Sequence, residues 1–332
     1  MPTKIQSLGQ VELPLLARSA WLEGEELVIL DETRLPWEKS FIRVKDPEGA
    51  VKAIKEMKTR AFGQVLVTLY ALVLAARKAA TLPQDEQMEA FWEKAQELAN
   101  PRPTVDFKEL IFPVLQMAQK AQCEKKPLDK ALEAGIQGLI DHIQSKRIAR
   151  CQKAAELIKD GDTILTHCNV SGEMVIIGEL CRKKGKRVSF IATETRPYLQ
   201  GARLTAWELK EAGFEVTLIP DNAVAKVMAE GKVNLVIVGS DRTAQNGDVA
   251  NKIGTYQIAL VAKEFGIPFY VLAQPSKRTA TGADIPIEER EPEEVLFFEG
   301  QRIAPEGLDA YYPGFDVTPH ELISGHLVVE RN

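Results

Sequence analysis

The chain has 332 residues, 45% hydrophobic and 27% charged, with a formal net charge of −5. That composition suits a globular protein with two cored domains and excludes a disordered or fibrous one. An acidic balance without a basic face interleaved with aromatics excludes nucleic acid as a partner, because neutralising phosphates dominates such binding.

In chain order, Met1 to Glu12 lacks a basic stretch followed by an apolar core. No apolar run is expected to reach membrane-spanning length, so no membrane partner and a cytoplasmic location are expected. Leu27-Val28-Ile29-Leu30 and Phe41-Ile42-Arg43-Val44 read as short strands around Thr33-Arg34-Leu35-Pro36, a small β unit at an edge. From Pro47 the pattern turns helical. A first helix covers residues 49–57, and a second follows Thr59-Arg60-Ala61-Phe62-Gly63-Gln64, with Val65, Leu69, Leu72 and Ala76 on its packing face. A third begins after Pro83, carries Phe91 and Trp92, and stops near Asn100-Pro101, where proline cannot continue it. Arg102-Pro103-Thr104 is then a loop, before helices over residues 106–122 and 128–159. The domain boundary is placed inside the last of these, giving a β/helical domain over 1–145 and a catalytic domain over 146–332.

Beyond Asp162 apolar runs at 163–165, 188–191, 216–219, 235–238 and 269–272 alternate with helical segments, and Gly185, Gly213 and Gly266 stand at helix ends as C-cap residues do. Strands alternating with helices imply right-handed crossovers and a covered parallel sheet. The fold class is therefore α/β: a Rossmann-like parallel-sheet C-terminal domain, with a smaller, mainly helical N-terminal domain carrying a short β unit. The first of these strands is followed by Thr166-His167-Cys168-Asn169-Val170-Ser171-Gly172 and not by Gly-x-Gly-x-x-Gly, so a dinucleotide loses its main support.

Two residues stand where ligands bind in such sheets, just past strand ends: Cys168 after the first strand and Asp241, in Gly239-Ser240-Asp241-Arg242, after the fourth. A thiol near a helix N-terminus has its pKa drawn towards neutrality and can move protons near ambient pH. A partly dehydrated carboxylate can do the same. The alternatives are an inert packed cysteine and an Asp241–Arg242 ion pair, with His167 orienting one of the two groups, or simply solvated or hydrogen-bonded to backbone. Cys123, Cys151 and Cys181 fall in helices and show no metal-type spacing, and with only four histidines neither structural zinc nor a disulfide framework is expected. After Asn246-Gly247, Asp248 reads as an N-cap, which puts Asn251 and Lys252 in the first turn of a helix running to about Phe265. A lysine there opposes the helix dipole, which is accounted for either by an anion sharing the site or by solvation with Asp248 offsetting the charge. Arg196, Gln200 and Arg203 could hold phosphate or sugar hydroxyls, or merely their own loop or a subunit contact; Arg60 and Arg102 are surface charges or, facing a crevice, phosphate clamps.

Thr166-His167-Cys168-Asn169, residues 194–206, Gly239-Ser240-Asp241-Arg242, residues 246–255, Ile287-Glu288-Glu289-Arg290 and Phe315-Asp316-Val317-Thr318-Pro319 together resemble the methylthioribose-1-phosphate isomerase family. That family also includes ribose-1,5-bisphosphate isomerases and regulatory subunits of the initiation-factor exchange complex. The resemblance implies a homodimer and a cofactor-free, metal-free conversion of 5-methylthioribose 1-phosphate to its ketose in methionine salvage. It gives the acid/base roles to Cys168 and Asp241, and substrate and phosphate binding to Arg60, Arg102, Gln200, Asn251 and Lys252.

Two stretches depart from the family pattern. Its Arg-Gly-Ala-Pro-Ala-Ile-Gly loop is here Arg60-Ala61-Phe62-Gly63-Gln64-Val65-Leu66, and side chains at Ala61 and Phe62 are expected to obstruct close approach of a phosphate to the backbone. After Cys168-Asn169 this chain has Val170-Ser171-Gly172-Glu173-Met174, which sets a negative charge beside the phosphate end. These departures favour, as an alternative, a paralogue for another C1-phosphorylated pentose such as ribose 1,5-bisphosphate; a third reading, a non-catalytic regulatory subunit, is opposed by the retention of both Cys168 and Asp241.

Overall fold

The computed structural model describes residues 11–99 and 107–328, and the chain divides after Ile148 into two compact units. In the first unit β1 (Ala20–Glu23), β2 (Glu26–Leu30) and β3 (Phe41–Val44) form an antiparallel sheet in that order. β1, unexpected from sequence, is a four-residue strand joined to β2 by a turn through Gly24, whose φ is 62°. Among the described residues five helices come next: α1 (Pro47–Lys55), α2 (Phe62–Ala79), α3 (Gln87–Leu98), α4 (Phe107–Cys123) and α5 (Leu128–Leu157), the last containing the division between units. Asp46 starts α1 by accepting the Gly49 N–H at 2.7 Å, with Pro47 fitting the first helical position.

α2 is apolar on all sides because it is the axis of this unit, with Leu69, Ala71, Leu72 and Val73 fully buried in a core shared with Phe91, Phe107 and Leu132. It does reach the length and apolarity of a membrane span, against the expectation from sequence, but 83% of that 18-residue window is buried. A helix hydrophobic all round is accounted for by such a core.

The second unit alternates strands and helices: β4 (Thr163–Thr166), α6 (Glu173–Lys183), β5 (Ser189–Thr193), α7 (Ala206–Glu211), β6 (Glu215–Ile219), α8 (Val224–Ala229) and β7 (Leu235–Val238). Then come β8 (Arg242–Thr243), β9 (Val249–Lys252), α9 (Thr255–Glu264), β10 (Phe269–Leu272), α10 (Glu293–Leu296), β11 (Phe297–Phe298), β12 (Gln301–Arg302), β13 (Phe315–Thr318) and β14 (Gly325–Leu327). Six strands make one parallel sheet in the order β14-β10-β7-β4-β5-β6. All four residues of β7 are buried, as a central strand covered on both faces requires. Five of these strands were expected. The sixth, β14, is Gly325-His326-Leu327 on the sheet edge, too short and too mixed to carry an apolar signal. Gly185, Gly213 and Gly266 do stand just past helix ends, with φ of 74°, 73° and 65°.

Candidate active site

The strand order fixes where a ligand belongs. Counting only the parallel strands, β4 is first and β7 fourth, and they are hydrogen-bonded neighbours from which the chain winds outward in opposite directions. This is the topological switch point of a doubly wound sheet, where a crevice opens beyond the carboxyl ends. β4 and β7 pair through Ile164 with Leu235 and Leu165 with Val236. Continued three residues, that register sets Cys168 level with Gly239, two residues before Asp241. The closeness of the two loops is visible at Gly239, where a Cβ would stand 2.7 Å from Val170 Cγ1 and 3.8 Å from Asn251 Oδ1.

Cys168 leaves the strand in a left-handed conformation, φ 63°, which costs an L-residue energy and persists only when its neighbours hold it. The Cys168 N–H donates to Thr195 Oγ1 at 3.0 Å, and its carbonyl accepts from Thr205 Oγ1 at 2.6 Å. The next residue, Asn169, donates to Thr205 Oγ1 and to Glu208 Oε1, and accepts the Ser171 N–H. Thr205 ends a single π-helical stretch, Gly201–Thr205, of the kind that collects at functional sites. Gly201 has no substitute there, because a Cβ would overlap the carbonyl oxygen of Thr193. Cys168 itself is half-buried, while Cys151 and Cys181 are fully buried.

His167 does not orient the thiol and does not face solvent; of its expected roles, the hydrogen bond to backbone is the one that holds. It is 2% exposed, its Nε2 donates to the Ile253 carbonyl at 2.8 Å, and its Nδ1 accepts from Thr193 Oγ1 at 2.6 Å. Burial holds its imidazole below the ordinary histidine range, so it is a neutral pin joining the ends of β4 and β5 to the start of α9. Glu173 differs from expectation. Its carboxylate is fully buried and gripped by Arg150, Nη2 to Oε1 at 2.6 Å and Nε to Oε2 at 3.0 Å, and Arg150 also donates to the Ala273 carbonyl. Its charge is neutralised inside the unit and does not face an anion unopposed.

Asp241 is held by backbone. Its N–H donates to the Ala250 carbonyl at 3.0 Å, and Arg242 pairs with Ala250 in the β8/β9 ladder, which sets Asp241 beside Asn251. Asn246-Gly247 is a turn, as expected, but the chain leaves it as the strand β9 and not as a helix. β9 is stabilised on its other edge by β13, with Asn251 opposite Asp316 and Lys252 opposite Phe315. Lys252 therefore does not oppose a helix dipole. Its ammonium donates to the Gly314 carbonyl at 2.9 Å and lies 4.6 Å from the centre of the Phe315 ring. α9 begins at Thr255, and its first free N–H groups, those of Gly254 and Tyr256, go to the carboxylate of Asp316 at 2.7 and 3.1 Å. Burial pushes Asp316 up to about 6 despite those donors.

Asp248, expected as an N-cap, instead braces three loops: it accepts from Asn246 Nδ2, the Gly282 N–H and both the backbone and Nδ1 of His320. With His320 and Glu321 it could offer ligand atoms to a metal, within 4.8 Å of one another, but the site is at the surface and its aspartate is already spent on the loops.

Gln200 is 4% exposed, its amide Oε1 buried without a hydrogen-bond partner among the described residues. Arg196 holds its own loop, donating to Pro197 and Val295 carbonyls and lying over Phe298. In the first unit Arg60 is 9% exposed just before α2. Ala61 adopts φ 44°, ψ −121°, a conformation natural to glycine, and the Phe62 ring is turned inward under the Arg147 guanidinium at 3.9 Å. The expected obstruction from Phe62 is thus absent. Arg102 lies outside the described residues. The structure thus brings Cys168, Asp241 and Asn251 to one crevice edge and sets Lys252 next to Asn251. Thr195, Thr205 and Asp316 hold that edge, and nothing in their local spacing signals that role beyond their places within residues 194–206 and 315–319.

A model of the initiation factor 2 subunit family matches residues 62–328. A curated relative, the methylthioribose-1-phosphate isomerase of Pelotomaculum thermopropionicum, is 42% identical, the match covering 96% of this chain and 90% of that one. Two solved structures have the same fold over most of their length. One is 5-methylthioribose 1-phosphate isomerase from Pyrococcus horikoshii, 33% identical with a TM-score of 0.82, covering 95% of this chain and 93% of that one. The other is the translation initiation factor eIF-2B, subunit delta, from A. fulgidus, 35% identical with a TM-score of 0.80, covering 94% of each.

Proposed function

This chain belongs to the initiation factor 2 subunit family, and we propose that within it the protein is an aldose–ketose isomerase. It converts 5-methylthioribose 1-phosphate to 5-methylthioribulose 1-phosphate, a step of methionine salvage, without a cofactor. The observation that carries this reading is the pair of strands at the switch point: β4 leads to Cys168 and its neighbour β7 to Asp241.

The substrate's chemistry asks for such a pair. A phosphate on C1 blocks a free aldehyde, so the furanose must be opened with acid: the C1–O4 bond breaks and O4 takes a proton. As C2 becomes a carbonyl its hydroxyl loses a proton, and the hydrogen of C2 ends on C1. Whether that hydrogen crosses as a proton or as a hydride, one proton must be given to O4 and one taken from O2. A thiol and a carboxylate flanking one crevice supply an acid and a base. Binding of the sugar hydroxyls and the phosphate falls to Arg60, Arg102, Gln200, Asn251 and Lys252. A homodimer in the cytoplasm completes the proposal.

Purified protein incubated with methylthioribose 1-phosphate should yield the ketose. Cys168→Ser and Asp241→Asn should each lower turnover by roughly 10²- to 10⁴-fold with the fold intact, the usual contribution of a positioned acid or base. Near-normal turnover in either variant contradicts the assignment. Likeness to the chain titled as an initiation-factor subunit favours a second reading, a non-catalytic regulatory subunit, and absence of turnover in the wild-type protein would select it.

A further inference from the structure

Tyr312 is 5% exposed and its hydroxyl is enclosed, yet among the described residues no hydrogen-bond partner reaches it. Buried hydroxyls are rarely left so, and each such case calls for a reason. Slack in the loop does not supply one. The Tyr312 carbonyl accepts the Arg290 N–H at 2.9 Å. Two residues on, the Gly314 N–H donates to Glu288, and the Gly314 carbonyl takes both the Ile253 N–H and the Lys252 ammonium. The ring is therefore fixed at the start of β13, the strand that lies along Asn251 and Lys252.

Its neighbours locate the hydroxyl. Burial, together with the charges of Glu294, Tyr198 and Cys168, keeps the phenol protonated well above the usual tyrosine range, and Arg290 acts the other way. The strand that Tyr312 precedes sets Asp316 opposite Asn251, the residue beside Asp241 at the end of the β8/β9 ladder. A second unmet atom lies near the Cys168 loop: Gln200 Oε1 is buried without a partner among the described residues, and Gln200 precedes Gly201, which packs on Thr195, the residue that holds the Cys168 N–H. One atom is a hydrogen-bond acceptor; the other is a donor that keeps its proton. A polyol carrying hydroxyls that both donate and accept satisfies the two together.

We propose that the Tyr312 hydroxyl contacts the substrate directly, donating a hydrogen bond to a sugar oxygen beside Cys168, with Gln200 Oε1 accepting from a sugar hydroxyl. This rests on the sugar-phosphate reading of the site and adds a residue to it. Tyr312 serves as a fixed donor and takes no part in the proton transfers.

The test is Tyr312→Phe, assayed with methylthioribose 1-phosphate beside the wild-type protein, with melting temperature measured on both. Because the hydroxyl meets no partner among the described residues, its removal should leave the melting temperature unchanged or raised, while kcat/KM falls roughly 10- to 100-fold, the loss expected for one good hydrogen bond to ligand. A purely structural tyrosine gives the opposite split, a lower melting temperature with kcat/KM within about twofold, and that overturns the inference while the isomerase reading stands. Wild-type protein that does not turn over the sugar phosphate overturns both.

Discussion

Two turns in this molecule lead into helices through a strained, non-glycine residue, and each is backed by a buried glutamate. In the second unit Cys168 (φ 63°) and Ser171 (φ 49°) precede α6, and Glu173 beneath them is matched by Arg150. In the first unit Ala61 (φ 44°) precedes α2, and Glu32 lies 3.0 Å from where a Cβ on Gly63 would stand. Glu32 has no such grip. It accepts from the Thr59 hydroxyl at 2.7 Å, and burial pushes its carboxyl up to about 7 in spite of that bond and the charge of Arg60. The turn carrying the thiol thus rests on a carboxylate held in an ion pair, whereas the turn carrying Arg60 sits on a carboxyl that ionises at a cost near neutrality.

The comparison breaks most visibly at Arg150. Arg150→Ala leaves Glu173 buried and unpaired, and chemical denaturation should find a loss of about 3–5 kcal/mol, the usual cost of breaking a buried pair from one side. A loss under about 1 kcal/mol would mean that the pair does not lock the turn. Next is Glu32→Gln. Because folding raises the Glu32 pKa from an ordinary 4.5 to about 7, the folded state binds the proton more tightly than the unfolded one. Its contribution to stability is then full below about pH 4.5 and is lost as pH rises through about 7, some 3 kcal/mol in all. The amide should flatten that stretch of the stability–pH curve; an unchanged curve would refute the raised pKa.

Smaller effects sharpen the contrast. Thr195→Val or Thr205→Val removes one of the two hydroxyls that hold the Cys168 peptide and should cost about 1–3 kcal/mol of stability, with turnover down about tenfold as the thiol drifts. Full activity in both variants would show that the strained conformation is not maintained by these threonines. Smallest is Ala61→Gly, which relieves the left-handed strain but loosens the unfolded chain; a net gain of about 1 kcal/mol is expected, and a loss would show that the Ala61 methyl group is packed to advantage.

The sheet was legible where strands are buried on both faces. Leu235-Val236-Ile237-Val238 and Phe269-Tyr270-Val271-Leu272 stand out from the helical pattern around them, and with them came the expectation that Cys168 and Asp241 share a sheet edge. β9 was misread because Asn246-Gly247-Asp248 serves equally as a hairpin turn or as a loop before an N-cap. What decides it is β13, more than sixty residues away, pairing with Val249 to Lys252. The devices around Cys168 were illegible for the same reason: Thr195, Thr205 and Arg150 act across 27, 37 and 23 residues of chain respectively, and no local spacing announces such contacts. Tyr312 lay hidden in a Tyr-Tyr-Pro loop with neither strand nor helix periodicity.

A crystal structure of the Asp241→Asn variant soaked with methylthioribose 1-phosphate tests the central claim most directly. The predicted result is one sugar seated at the carboxyl ends of β4 and β7, with the Cys168 Sγ and the side chain at position 241 both within about 3.5 Å of it, the reach that proton transfer requires. A sugar bound with only one of the two in reach, or bound away from this strand edge altogether, would contradict the account.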